Sequence, residues 1–196
     1  MELFYATQNE YKIENMKKRL LSLPISIVTP KDKHLFIEVE EDGITVIENA
    51  KKKAFSYYPF CHLPTLAADS ALYVEKFDEQ SGLHVRRKQG NYLSDEEIEQ
   101  EYIQRLKKVG GSSLAYYVTG LVFLDEDYQA EIEIIEEPFL LTADRYPGKR
   151  GKDALGRLEK EIATGRYFCE TRHNKQEGKF DKECRQFIQM CLDRML

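Results

Sequence analysis

The chain has 196 residues, 42% of them hydrophobic, with 29 Lys and Arg against 34 Asp and Glu and a formal net charge of −5. That length supplies one core and calls for no second domain, so residues 1–196 are expected to form a single domain. The slight acidity argues against nucleic acid or an anionic membrane as partner.

No run approaches the roughly 18 apolar residues of a membrane span. The opening MELFYATQNE carries no basic leader, and Cys61, Cys169, Cys184 and Cys191 form no CxxC pair. Together these features predict buried thiols in a reducing cytoplasm.

Residues 3–7 (LFYAT) read as a buried strand, and Ile13, Met16, Leu20 and Leu23 recur at helical spacing up to Pro24, which predicts a strand, loop and helix. Residues 25–29 read as a second strand. After the acidic stretch 38–42 and Gly43, Thr45 and Glu48 form a TxxE capping box for a helix with Ile47, Ala50 and Ala54 on its stripe, ended by Pro59 and Pro64. Residues 65–68 and 71–74 are predicted to be extended on either side of Asp69 and Ser70. The charged stretch 75–93 reads as loop. Ser94 and Glu97 then cap a helix whose Ile98, Tyr102, Leu106 and Val109 share a face, stopped by Gly110 and Gly111. Residues 114–124 and 130–134 predict an antiparallel hairpin, with a further strand over 139–142. Residues 144–151, holding Pro147, Gly148 and Gly151, read as loop. Leu155, Leu158 and Ile162 predict a helix. Cys184, Phe187, Ile188, Cys191, Leu192 and Met195 mark a terminal helix with Asp181 as its cap.

Thr7, Asn9 and Lys12 form TxNxxK where the first strand hands over to the first helix. Helix N-terminal N–H groups, a hydroxyl, an amide and an ammonium are donors suited to phosphate. The same residues also suit a plain helix cap at Asn9 and a solvated lysine at position 12, and the motif alone leaves both readings open. Asp69 reads either as a carboxylate that takes a proton from water or as a turn residue supported by Ser70.

Three blocks in order, FYATQNEYKIENMKKRL, DGITVIENAKKKA at 42–54 and LAADSALYV at 66–74, resemble the inosine triphosphate pyrophosphatase family, whose patterns are TxNxxK, GxTxxENAxxKA and ADDSGLxV. The resemblance implies an α/β fold with a central mixed sheet, flanking helices and a nucleotide cleft between two lobes. It also implies a homodimer that hydrolyses non-standard purine nucleoside triphosphates, the inosine and xanthosine types with their deoxy forms, to monophosphate and pyrophosphate. Mg²⁺, with Mn²⁺ as the alternative, is the implied cofactor. Asp69 would activate water, while Thr7, Asn9, Lys12, Lys53 and Ser70 would bind substrate. Asp69 would share the metal with a glutamate of 38–41, Glu38 or Glu41.

Departures from the family pattern accompany the resemblance. Ala68 stands where the family carries an acid, and alanine offers no oxygen to a hard ion; Ala68→Asp is therefore expected to strengthen Mg²⁺ binding. Glu48 has a complete account in the capping box. Residues 82–90 sit where the family has GxYSARYxG, which would turn Arg86 or Arg87 toward the site. RYPGKRGKDALGRL at 145–158 takes the place of the family's GFGYDP loop, with Arg150 and Lys152 at its aromatic positions; a guanidinium stacks on a base or seeks phosphate. Asp153 reads as a substrate contact or a helix cap. No SHR motif occurs, and Arg172 and His173 are either its nearest counterparts for substrate binding or part of a surface loop. Two rival readings follow: a catalytically degenerate nucleotide-binding or sensing protein, and a hydrolase of altered nucleotide substrate.

Overall fold

The opening strand β1 (Glu2–Tyr5) has Leu3, Phe4 and Tyr5 all buried, so it is covered on both faces, as a strand inside an α/β sheet must be. In the computed structural model it is followed by α1 (Glu10–Arg19), β2 (Ser26–Val28), α2 (Val46–Cys61), β3 (Thr65–Val74), β4 (Arg87–Lys88), β5 (Asn91–Tyr92) and α3 (Asp95–Lys108). Then come β6 (Ser112–Leu124), β7 (Ala130–Thr142), β8 (Glu159–Lys160), α4 (Phe168–Thr171) and α5 (Lys179–Asp193). The structure describes residues 1–78, 80, 82, 83, 85, 87, 88, 91–149, 151, 153–171 and 178–195, with only the backbone of 87, 88, 91, 92 and 171. Among the described residues no helix is long and apolar enough to cross a membrane.

Six strands form one sheet in the order β2-β1-β3-β6-β7-β8, and β4 pairs with β5 separately. β1 runs parallel to β2, with Leu3 opposite Ile27, and parallel to β3, with Tyr5 opposite Leu66; β7 and β8 are antiparallel. The sheet is therefore mixed, as the family resemblance implies.

Contacts divide the chain into two compact units, Met1–Ser70 with Thr119–Ile135 and Gly178–Leu196, and Ala71–Val118 with Glu136–Glu177. In the first, strand alternation builds two cores. Leu3 and Tyr5 of β1 join Leu66 and Ala68 of β3, Met16 and Leu20 of α1, and Phe180, Cys184 and Phe187 of α5. Phe4, Ala6, Ala67 and Val122 pack instead with Ala50, Ala54 and Tyr57 of α2. In the second unit Ile98, Tyr102 and Leu106 of α3 pack with Leu72, Val74, Phe139, Leu141, Leu155 and Leu158.

The helix starts follow the sequence closely. Thr45 and Glu48 make a complete capping box on α2, as do Ser94 and Glu97 on α3. Beyond α3, Gly110 and Gly111 take φ values of 95° and 86°, which other residues rarely adopt. All four cysteines are free; Cys184 and Cys191 are buried as expected, whereas Cys61 and Cys169 are half-exposed.

Other elements differ from expectation. β3 runs unbroken through Asp69 and Ser70, and β7 joins the two strands expected at 130–134 and 139–142. α2 continues two residues past Pro59, which sits in the last turn and forfeits a single helical bond there. The stretch 75–93 contains the β4–β5 pair, and the short α4 had no periodicity to announce it. The helix expected from Leu155, Leu158 and Ile162 is replaced by turns and β8. Asp153 Oδ1 accepts from Leu155 N at 3.1 Å and Leu158 N donates to Leu155 O at 2.7 Å, so local bonds compete with the helical ladder. Asp181 does not cap α5. Gly178 is the cap residue, and Asp181 pairs with Arg19 of α1 instead.

One close approach sets the distance between β6 and α2. A Cβ on Gly120 would meet Ile47 Cδ1 at 2.7 Å and Val46 Cγ2 at 2.9 Å. Gly120→Ala is expected to destabilise the fold by about 1–3 kcal/mol, the usual cost of overpacking. Thermal unfolding should register this as a fall of roughly 2–4 °C per kcal/mol.

Candidate active site

The pleat of β3 separates adjacent side chains. Leu66 and Ala68 face the α1 and α5 core, whereas Ala67 faces α2. Asp69 follows Ala67 by two residues and so lies on the α2 face. Aspartate is disfavoured inside a strand, and this one is only 6% exposed; it is tolerated because both carboxylate oxygens are engaged. Lys53 Nζ donates to Oδ1 at 2.8 Å, and Asn49 Nδ2 donates to Oδ2 at 3.1 Å. Lys53 and Asn49 are four residues apart on α2, one above the other on the face that also carries Ala50 and Ala54.

Lys53 also pairs with Glu41 at 3.1 Å. The segment before α2 explains why Glu41 rather than Glu38 reaches it. Leu35, Ile37 and Val39 pack against the α2 core while Phe36, Glu38 and Glu40 are exposed, so odd positions turn inward. Gln8 Nε2 donates to Ile37 O at 3.3 Å and to the Tyr57 hydroxyl at 3.1 Å, and that hydroxyl donates to Ile37 O at 3.2 Å. Asn49 Oδ1 accepts from Gly43 N at 2.8 Å. The segment is thus fastened at Ile37, Glu41 and Gly43.

Lys12 joins the same electrostatic field. Burial pushes its amine below the ordinary lysine range and the Lys53 charge adds to the shift, while Asp69 and Glu41 act in the opposite direction. Thr7 and Asn9 serve the helix start: Asn9 N donates to Thr7 Oγ1 at 3.2 Å, and Lys12 N donates to Asn9 Oδ1 at 3.1 Å. Ser70 Oγ lies 3.0 Å from Thr119 Oγ1.

The structure therefore brings Lys12, Glu41, Lys53 and Asp69 together and leaves Glu38 outside. Asp153 lies in the second unit, where its carboxylate holds the Leu155 turn. Arg86, Arg150, Lys152, Arg172 and His173 lie outside the described residues, as does the side chain of Arg87. Sequence reasoning missed Asn49, Gln8 and Tyr57. The available signal was Asn49 beside Ala50 on the inward stripe and four residues from Lys53, an amide where an apolar residue would be expected.

The donor set does not fit a resident divalent cation. Among the described residues no group of three or more His, Cys, Asp and Glu is placed to hold one. Asp69 and Glu41 already share an ammonium, and Ala68 faces the opposite core. A hard cation asks for about six oxygens.

Two substitutions probe this arrangement. Asn49→Ala would leave the Gly43 N–H and one Asp69 oxygen without their amide partner, an expected loss of about 1–3 kcal/mol in denaturant unfolding. Ala68→Asp would set a carboxylate among Leu66, Leu121 and Phe123. With this geometry the expected effect becomes a stability loss of about 3–5 kcal/mol, as for an unpaired buried charge, with no gain in Mg²⁺ affinity by calorimetry.

The first unit of this open α/β sheet thus carries a buried carboxylate paired with one lysine, with a second lysine in the same electrostatic field and the start of α1 beside the end of β1. A sequence model of the Ham1 family matches residues 3–140, and the chain belongs to that family. This bears out the resemblance read from the three blocks; residues 141–196, where the likeness weakens, lie beyond the match.

A dITP/XTP pyrophosphatase of Leptospira interrogans is 30% identical over 132 residues, 67% of this chain, and the match spans 66% of that protein, just under two thirds of its length. A dITP/XTP pyrophosphatase of Lactobacillus johnsonii is 32% identical over 161 residues, covering 78% of this chain and 77% of that one. The fold matches the structure of a HAM1 protein from Coxiella burnetii with a TM-score of 0.78 at 21% identity, over 97% of this chain and 99% of that chain.

Proposed function

We propose that the chain hydrolyses non-standard purine nucleoside triphosphates of the inosine and xanthosine types, ribo and deoxy, to monophosphate and pyrophosphate. The observation that carries this reading is the Asp69 carboxylate, buried and aimed by Lys53 and Asn49, in a chain whose relatives are dITP/XTP pyrophosphatases.

Each Asp69 oxygen accepts one hydrogen bond and keeps a further lone pair. A water held there would be oriented toward the α-phosphorus and would pass its proton to Asp69 as the new P–O bond forms. The bond from the α-phosphorus to the bridging oxygen breaks, and pyrophosphate leaves with the electron pair. In this reading Lys12 and Lys53 offset the charge that builds on the phosphoryl oxygens. Binding of a polyanion also favours the charged form of the Lys12 amine, reversing the effect of its burial.

Mg²⁺, or Mn²⁺, enters this reading with the substrate, because a small hard cation is commonly held by nucleotide phosphates and waters plus one or two carboxylates. Glu41 and Asp69 are the carboxylates available. The same reading carries a cytoplasmic location and a homodimer. Ile132 and Ile134, both exposed on β7, offer an apolar strip suited to a second copy.

The rival reading, a nucleotide-binding protein without turnover, is favoured by the donor set that falls short of a metal site. Asp69→Asn decides between them in an assay of pyrophosphate release from a panel of nucleoside triphosphates. Turnover of the inosine and xanthosine forms should fall by about 10²-fold or more, the scale of lost general-base assistance, with the fold intact by circular dichroism. Equal turnover in the variant rejects the role of Asp69, and no turnover in the unaltered chain selects the binding protein.

A further inference from the structure

Residues 145–157, in the second unit, carry five basic side chains against one acidic in a chain whose formal net charge is −5. Both ends of the segment are fastened. Tyr146 N donates to Arg157 O at 2.8 Å, and the Tyr167 hydroxyl donates to Asp144 O at 2.7 Å. The arginines at the two ends converge on Glu99 of α3.

The Glu99 carboxylate is fully buried, so it needs a compensating charge. Arg157 supplies it. Its Nε donates to Oε2 at 3.0 Å and its Nη2 to Oε1 at 2.7 Å, the two-pronged geometry in which one guanidinium satisfies one carboxylate.

Arg145 is a second cation on the same acid. Its Nε lies 3.3 Å from Oε1, an oxygen Arg157 already holds, and its side chain is 38% exposed against 16% for Arg157. Among the described residues its guanidinium donates no hydrogen bond, whereas Arg157 donates two. Two guanidiniums share this one carboxylate, and Arg145 is the more loosely held and more exposed of the two. Lys149, exposed four residues further on, adds to the local charge.

We propose that Arg145 is an anion-binding residue, held ready by Glu99, for a polyphosphate ligand. A planar guanidinium with two free N–H-bearing ends takes two oxygens of a phosphate group. Pairing the side chain with Glu99 beforehand lowers the ordering cost of that contact. The ligand is either the phosphate chain of a nucleotide or inorganic polyphosphate. The assignment stands on the second unit's own geometry and does not depend on the hydrolytic reading.

Calorimetric titration of the full chain with inorganic tripolyphosphate and, separately, with inosine triphosphate tests it, at about 0.05 M salt and without divalent ions. Arg145→Gln should weaken binding about tenfold, the scale of one hydrogen-bonded charge contact. Arg145→Lys should recover part of the loss, and the difference should shrink as salt rises to about 0.5 M. The melting temperature should hold, because Arg157 still satisfies Glu99. Weakening that includes inosine triphosphate identifies the nucleotide's phosphate chain, and weakening of tripolyphosphate alone identifies inorganic polyphosphate. Because binding is read without turnover, a chain inert in pyrophosphate release still answers. Failure of the unaltered chain to bind either ligand, or equal affinity of the Gln variant for both, overturns the proposal.

Discussion

A carboxylate buried in the middle of a sheet loses most of its hydration, and the first unit is organised around supplying Asp69 with something in its place. Lys53 provides the opposite charge and Asn49 the remaining hydrogen bond, both from one face of α2. Removing either partner from a buried pair typically costs about 3–5 kcal/mol, so β3 and α2 constrain each other. The helix must approach closely enough for a four-carbon side chain to span the gap, and the glycine on β6 permits that approach. Asn49 carries the constraint outward, since its carbonyl oxygen holds Gly43 and thereby the residues that bring Glu41 to Lys53.

The second unit solves a related problem differently. Glu99 is as buried as any apolar residue in its core, and a guanidinium rather than an ammonium satisfies it. The difference has chemical weight. Lysine at the Asp69 site is a point charge with rotatable donors, able to exchange one acceptor for another, whereas the Arg157 fork fixes orientation. The first arrangement can be rearranged by an incoming ligand, and the second holds a backbone segment in place.

Much of this was legible in the residues. Thr45 with Glu48 and Ser94 with Glu97 announced their helices because both halves of each box lie within one turn. The alternation and aromatic content of 114–124 announced a strand. What failed depended on partners distant in sequence. Asp181 looks like a cap until Arg19, 162 positions earlier in the chain, arrives beside it. Leu155, Leu158 and Ile162 have helical spacing, yet a carboxylate two residues before Leu155 captures its N–H. In the site, Lys12, Lys53 and Asp69 were readable from motif blocks. Glu41 could not be told from Glu38 without knowing which way the segment 35–41 turns. Asn49 was hidden because an amide inside a helix is ordinarily a surface residue, and its buried acceptor lies on another element.

The two-residue period of β3 has an evolutionary corollary. Inserting or deleting one residue between Thr65 and Asp69 exchanges the two faces of the strand: the carboxylate would enter the α1 and α5 core and a methyl group would meet Lys53. A change of two residues preserves parity but moves the acid by about 7 Å along the strand, beyond reach of the same lysine. Lineages of this fold can therefore vary the chemistry of positions 67 and 68 and lengthen the loops on either side of the strand. The count of residues from the start of β3 to Asp69 is closed to drift, and deep alignments of relatives should show substitutions but no gaps across that stretch.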